Sequence, residues 1–425
     1  MFHRRGQGNG SGCLRFGSAF GLLAGAFLVC LGAPACSTDG HGDAPKPVDA
    51  SMPDSALSPA GQDAQATDTF SETTLRDGSI DDSTLEDASD ASDAGQADEA
   101  DAGTSGCGVG DAGEPTELRC TGLYADWTSR TVSADARQYD PGLHLWSDGA
   151  VKTRWIYLPV DPSSDAGATQ PIDTSNMDEW SFPAGTKFWK EFALGGKRIE
   201  TRLLWKQNAS TWYRTTYRWA ADESSATELT TGALDADGNG YEIPDQAKCN
   251  QCHDGRKDGV LGFEAVSLAS AGATPMTMAT LAAQRLITDV PDASLDIPGN
   301  AIDVAALGYL HANCGVACHN GGTGAARITG FFMRLDVAKL GGVPATDTWT
   351  TGVNRRTVLF SIPGDPSTVR LVPNDAGASC VYYRMTRRDA VSDAGSRIQM
   401  PPVDTHKIDE AGVALIGQWI NQGCQ

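Results

Sequence analysis

Residues 187–205 read KFWKEFALGGKRIETRLLW. On both sides of Gly195-Gly196, aromatic and β-branched residues alternate with charged ones. That is the period-two pattern of half-buried strands, broken where a glycine pair lets the chain turn. The same texture continues outward in VKTRWIYLPV (151–160) and TWYRTTYRW (211–219), and eight of the ten tryptophans fall between Trp127 and Trp219. From about Cys120 to Tyr241 the chain therefore reads as antiparallel strands, and a small β-sandwich or barrel is expected.

Past Gly255 the texture changes to Ala, Leu and Met. TMATLAAQRLI (277–287), AIDVAALGYLHAN (301–313) and IDEAGVALIGQWINQ (408–422) carry apolar residues at helical spacing. In the last, Ile408, Ala411, Leu415 and Trp419 mark the expected inner face, and Asp409 and Glu410 occupy the first turn, where the helix dipole favours acids. The fold class is α+β, a β-rich domain followed by a mainly helical one.

The N-terminus has a different character. Arg4, Arg5 and Arg15 precede the apolar run Phe16 to Gly32, then small residues lead to Cys36. This order matches a secretory signal (1–35) rather than a spanning helix, and Cys36 is a candidate for lipid attachment. Residues 36–106 are rich in Asp, Ala, Ser and Thr, with one aromatic, Phe70. They supply about fifteen of the net charge of −21, as expected of a disordered, self-repelling tether. The rest is only mildly acidic, and no basic face suggests nucleic acid. Export to a periplasm or outer membrane follows as an expectation, with membrane contact only through a lipid on Cys36.

Export would place the other cysteines in an oxidising compartment. Leaving aside Cys13, Cys30 and Cys36, eight remain. Cys107, Cys120, Cys380 and Cys424 allow three pairings. Cys107–Cys120 and Cys380–Cys424 are the expected ones, stapling the start of the β domain and tying down the last helix.

The remaining four lie in CNQCHDG (249–255) and CGVACHN (314–320). Two sulfurs three residues apart with a histidine directly after suit a c-type haem: the cysteines form thioethers to its vinyl groups and the imidazole reaches the iron. Cys249, Cys252 and His253 meet that pattern. A structural zinc is an alternative, with Cys314, Cys318 and His319 completing four ligands, and a plain disulfide is another. The second motif has one residue more between its sulfurs. Two thioethers over a bulged loop, one thioether through Cys318, or a disulfide without haem are all open. About eighty residues later, Gln399-Met400-Pro401-Pro402 could present the Met400 thioether opposite His319. For a first iron, His144, His311, Met276 and Met278 are candidate second axial ligands, and spacing selects none of them. Asp235 to Gly240 resembles the start of a calcium loop, but Gln246 stands where the bidentate Glu belongs, so it reads as a turn.

Taken in order, LWSDGAVKTRW, FPAGTKFW, IETRLLW, TYRW, IPDQAKCNQCH, YLHANCGVACHN, MPP and WINQ resemble a bacterial family of dihaem c-type cytochromes, over roughly Leu118 to Gln422. The resemblance implies a β-rich domain (107–248), a first haem-binding segment (249–300) and a cytochrome c-like domain (301–425). It implies two haem c groups, attached through Cys249 and Cys252 and through Cys314 and Cys318. The axial ligands it implies are His253 at the first and His319 with Met400 at the second. The CxxxCH spacing departs from the family's usual CxxCH. The expected function is single-electron transfer between redox proteins of the cell envelope, without a substrate of its own. Two alternatives stand beside it: a peroxidase-like haem enzyme with an open position at the first haem, and a tryptophan-rich module binding glycan or protein, with the cytochrome attached.

Overall fold

The computed structural model describes residues 106–238, 240–389 and 398–425. The expected signal peptide, Cys36 and nearly all of the acidic tract lie outside the described residues. Two short strands open the fold, β1 (Tyr124–Asp126) and β2 (Thr131–Val132). They are followed by β3 (Arg137–Tyr139), β4 (Val151–Tyr157), β5 (Lys187–Leu194), β6 (Lys197–Lys206), β7 (Trp212–Trp219) and β8 (Ala226–Glu228). The last six form one antiparallel sheet in sequence order, and β1 pairs only with β2. Gly195 and Gly196, both at positive φ, make the turn between β5 and β6. The sandwich or closed barrel expected from the strand pattern is not the arrangement found. Among the described residues β3 and β8 are the edges of an open meander, and no pairing joins them to close a barrel.

One face turns Trp155, Trp189, Leu203 and Tyr217 onto Leu118, Leu123 and Tyr124. The other turns Ile156, Phe188 and Leu204 onto Phe263, Leu268 and Leu281 from the chain after the sheet. Each such fully buried side chain contributes on the order of 1.5–3 kcal/mol, so the segment after residue 249 is bound to the sheet by a shared core.

The helices are α1 (Gln246–His253), α2 (Ala265–Ala269), α3 (Met278–Ala283), α4 (Ala301–Leu310), α5 (Asp347–Gly352), α6 (Cys380–Met385) and α7 (Glu410–Asn421). Capping boxes start α3 at Thr277 and α4 at Asn300, satisfying backbone N–H groups that the first helical turn leaves free. A second core joins Leu307, Leu310, Ile416, Trp419 and Ile420. The buried stripe of α7 runs through Gly412, Val413, Ile416 and Trp419; of the expected face Trp419 is buried, Ile408 and Leu415 pack half-buried against the same core, and Ala411 is exposed. The glycines of the helix allow close packing: a Cβ on Gly412 would lie 2.3 Å from Tyr309 Oη, and one on Gly417 would lie 2.8 Å from the Tyr382 ring.

Cys107 and Cys120 form a disulfide. The expected Cys380–Cys424 bond does not form: both are buried free thiols, and Cys380 faces a cavity instead. Asp235 and Asp237 accept the backbone N–H of Gly240 and Tyr241, as a turn requires. Among the described residues no helix is long and apolar enough to cross a membrane.

Candidate functional site

Asp245 caps α1 by accepting from Lys248 N at 2.8 Å. The helix then places Cys249, Cys252 and His253 at i, i+3 and i+4, on one face. Arg214 of β7 clamps its outer side through Asn250 (2.7 Å) and Asp254 (2.9 Å). The inner side, with both cysteines and His253, lines a cavity of about 150 Å³ against the sheet. His253 Nδ1 donates to the Gly259 carbonyl. That contact needs a glycine, since Gly259 has φ +64° and a Cβ there would lie 2.3 Å from His253 O. Desolvation, then the Lys190 charge, hold the His253 pKa down to about 3, so the ring is neutral. Its Nε2 has no hydrogen-bond partner among the described residues.

The second motif solves its spacing problem with backbone geometry. After α4 the chain continues as a π-helical turn, His311–Gly315. Val316 N donates to His311 O at 2.9 Å and His319 N to Cys314 O at 2.8 Å, both bonds five residues long. A π turn takes one more residue to close than an α turn, so the extra residue is absorbed. Cys314 and Cys318 line the same cavity as His319. His319 Nδ1 pairs with the Phe331 carbonyl at 2.9 Å, and burial lowers its pKa to about 4. Gly315 makes room for the segment bearing that carbonyl: a Cβ there would lie 2.4 Å from Arg334 N.

This second cavity is large, about 790 Å³, and mostly apolar. Phe331, Met333, Phe360, Met385 and Met400 line it with the motif residues. The structure thus brings Cys314, Cys318, His319 and Met400 together, as it does Cys249, Cys252 and His253. All four motif cysteines are free thiols, so neither within-motif disulfide forms. Burial, then the Cys318 charge, pushes Cys252 and Cys314 each up to about 12, which leaves them protonated. Among the described residues no group of three or more His, Cys, Asp or Glu side chains is placed to hold a metal ion, so the zinc alternative lacks its four-ligand site.

A haem c needs two thiols, an imidazole nitrogen with a free lone pair, and an apolar slot. Both sites supply the donor set. In each, a backbone carbonyl fixes the tautomer through Nδ1, the outer support that metal-bound histidines commonly have. The volume also fits at the second site, within the usual range of small-molecule cavities. The first is tighter and more polar, reversing the order of the two motifs by spacing.

None of the proposed second ligands for the first site reaches it. His144 is exposed beside Asp140. Buried His311 is held at Nε2 by Glu264 (3.2 Å), and its Nδ1 accepts from Leu335 N (2.9 Å). Met276 and Met278 are packed in the core between sheet and helices. His406 is half-buried and paired with Glu242 at 2.7 Å. Cys380, expected in a disulfide, and Met385, which no sequence motif singles out, also line the second cavity. The cavities share Asn313, Cys318, Pro401 and Pro402. The motifs also touch: a Cβ on Gly255 would lie 2.1 Å from Ala317 O, and Thr323 Oγ1 donates to Asp254 O at 2.8 Å.

Comparison with protein-family models, curated proteins and solved structures gives no match.

Proposed function

We propose that this chain is an exported c-type cytochrome with two covalent haem sites, carrying single electrons between redox proteins of the cell envelope. One observation carries the reading. Twice in the chain, two thiols and a neutral imidazole, its Nδ1 bound to a backbone carbonyl, line one cavity. The ordered resemblance to dihaem cytochromes supports it, and so does the Cys107–Cys120 disulfide, which is consistent with an oxidising compartment. The domain after residue 301 is read as cytochrome c-like on the same basis.

Bound haem would supply a one-electron iron couple. Cys249, Cys252, Cys314 and Cys318 would anchor it, and His253 and His319 would each offer Nε2 as a ligand. Met400, on the second cavity, would offer a thioether, a soft ligand that raises the potential. Phe331 packs edge-on against the His319 ring at 5.8 Å and limits its rotation. Exposed Ile328, Val358 and Leu359 edge this cavity, an apolar rim on which a redox partner could seat.

A second reading has its own observation. Among the described residues no histidine or methionine other than His253 lines the first cavity, which suits an open iron position and peroxidase-like chemistry. The binding-module reading finds less support, because every tryptophan between Trp127 and Trp219 is buried or half-buried.

The test is a pyridine haemochrome assay with intact mass on protein exported from a host that attaches haem c. Two covalent haems per chain are expected. Colourless protein with no added mass refutes the proposal. Carbon monoxide added to the ferrous protein then separates the readings: no binding supports electron transfer, and binding at one site supports the enzyme.

A further inference from the structure

The floor of the first cavity has an arrangement that sheets ordinarily avoid. Arg154 on β4 lies directly opposite Lys190 on β5, and Lys190 lies opposite Arg202 on β6. All three side chains are therefore on one face, and all line the cavity, with Lys152 two residues along from Arg154. Like charges directly opposite across strands are destabilising, and a buried charge is costly unless it is paired.

The pairing is uneven. Arg154 meets Asp140 at 2.8 Å and Arg202 meets Glu200 at 2.6 Å. Lys190, 9% exposed, donates only to the Leu261 carbonyl at 2.8 Å, and Lys152 only to the Leu145 carbonyl at 2.5 Å. Among the described residues neither lysine meets a carboxylate, though Lys152 lies over the Phe192 ring at 5.4 Å. The other cations on the cavity wall do: Lys248 pairs with Glu242 and Arg214 with Asp254. Asp404 also lines the cavity, with a buried Oδ1 that has no hydrogen-bond partner among the described residues.

We propose that the row Arg154–Lys190–Arg202, with Lys152, is a receptor for carboxylate-class anions. Lys190 and Lys152, which no carboxylate pairs with among the described residues, supply the charge, and Asp404 accepts a hydrogen bond from the ligand. The anion has two possible sources with the same chemistry: the propionates of a haem held by Cys249 and Cys252, or a free small carboxylate. The inference rests on the haem reading only for the first source.

The test compares the full exported chain with its Lys152→Gln/Lys190→Gln variant, and with Lys190→Arg, which keeps the charge. Haem content is read by pyridine haemochrome, midpoint potentials by redox titration, and anion binding by the thermal midpoint in sodium succinate. If the anions are propionates, the double variant keeps its haem but one of two potentials falls, because losing a cation favours the oxidised form. Lys190→Arg restores that potential, and succinate has no effect. If the anion is free, succinate raises the thermal midpoint of the wild type. The double variant then weakens that binding about tenfold or more, the scale of a charge-assisted hydrogen bond. Unchanged potentials together with no succinate response in the wild type overturn the proposal. Protein without haem fails the haem reading through the haemochrome assay, and the succinate titration alone then decides for or against the receptor.

Discussion

Replacing Gly255 with alanine tests how firmly the two motifs are joined. Gly255 follows His253 by two residues, and its φ is not in the left-handed region, so any cost must come from contact. The added methyl would lie 2.1 Å from Ala317 O, 3.1 Å from Ala317 C and 3.3 Å from Asn320 Nδ2. The first two are backbone atoms inside the second motif and cannot rotate away. Overpacking of this kind costs about 1–3 kcal/mol, against a gain of about 0.4–1 kcal/mol from the stiffer unfolded chain. Gly321→Ala is the control, because Gly321 has no positive φ and nothing within 4 Å of the added atom. It should be neutral or slightly stabilising. Urea unfolding followed by tryptophan fluorescence should therefore separate the two variants by about 1–3 kcal/mol, with Gly255→Ala the weaker. Covalent haem at the second motif should fall in Gly255→Ala as well, since the displaced atoms belong to that motif. Coincident midpoints for the two variants would refute the reasoning that backbone packing holds the motifs together.

Met400→Ala should abolish the red-edge charge-transfer absorption of a methionine–ferric bond, while Met385→Ala should leave it in place; visible spectroscopy of the oxidised protein decides. Glu264→Ala should cost about 3–5 kcal/mol in urea unfolding, because it strips buried His311 of its partner and α2 of its cap. Burial alone would raise the Glu264 pKa, but its contact with His311, then Arg256, holds it well below the usual range. A depressed carboxylate stabilises above its unfolded pKa of about 4.3 and loses that contribution as pH falls further. Wild type should thus lose more stability than Glu264→Ala between neutral pH and pH 3. Replacing Cys107 and Cys120 together with serine opens a loop with a sequence separation of 13 and should cost about 2–3 kcal/mol in the same assay.

The strands and helices could be read from the sequence because each depends on neighbours in the chain. Alternation around Gly195-Gly196 gave β5 and β6, and Thr277 and Asn300 are caps recognisable from a few residues. What depended on distant residues was not legible. The cation row exists only because three strands pair in one register, and no local pattern brings Arg154, Lys190 and Arg202 together. The inner face of α7 extends to Gly412 and Gly417 because Tyr309 and Tyr382 lie against them. Cys380 and Cys424 looked like a pair by elimination, but Cys380 is turned toward the second cavity. The motif residues themselves were legible, since a one-turn arrangement of two sulfurs and an imidazole is local chemistry. Which cavity would be roomier was not, because the space is enclosed by residues from Ile328 to Met400.

The π turn at His311 bears on how such chains are recognised. An insertion between two attachment points would ordinarily rotate everything downstream by about a hundred degrees, yet here one wider loop of helix takes up the added residue and the pair still faces inward. A search pattern that fixes the gap at two residues finds Cys249–His253 and passes over Cys314–His319. One that tolerates a third, wherever a helix enters from the N-terminal side, finds both motifs.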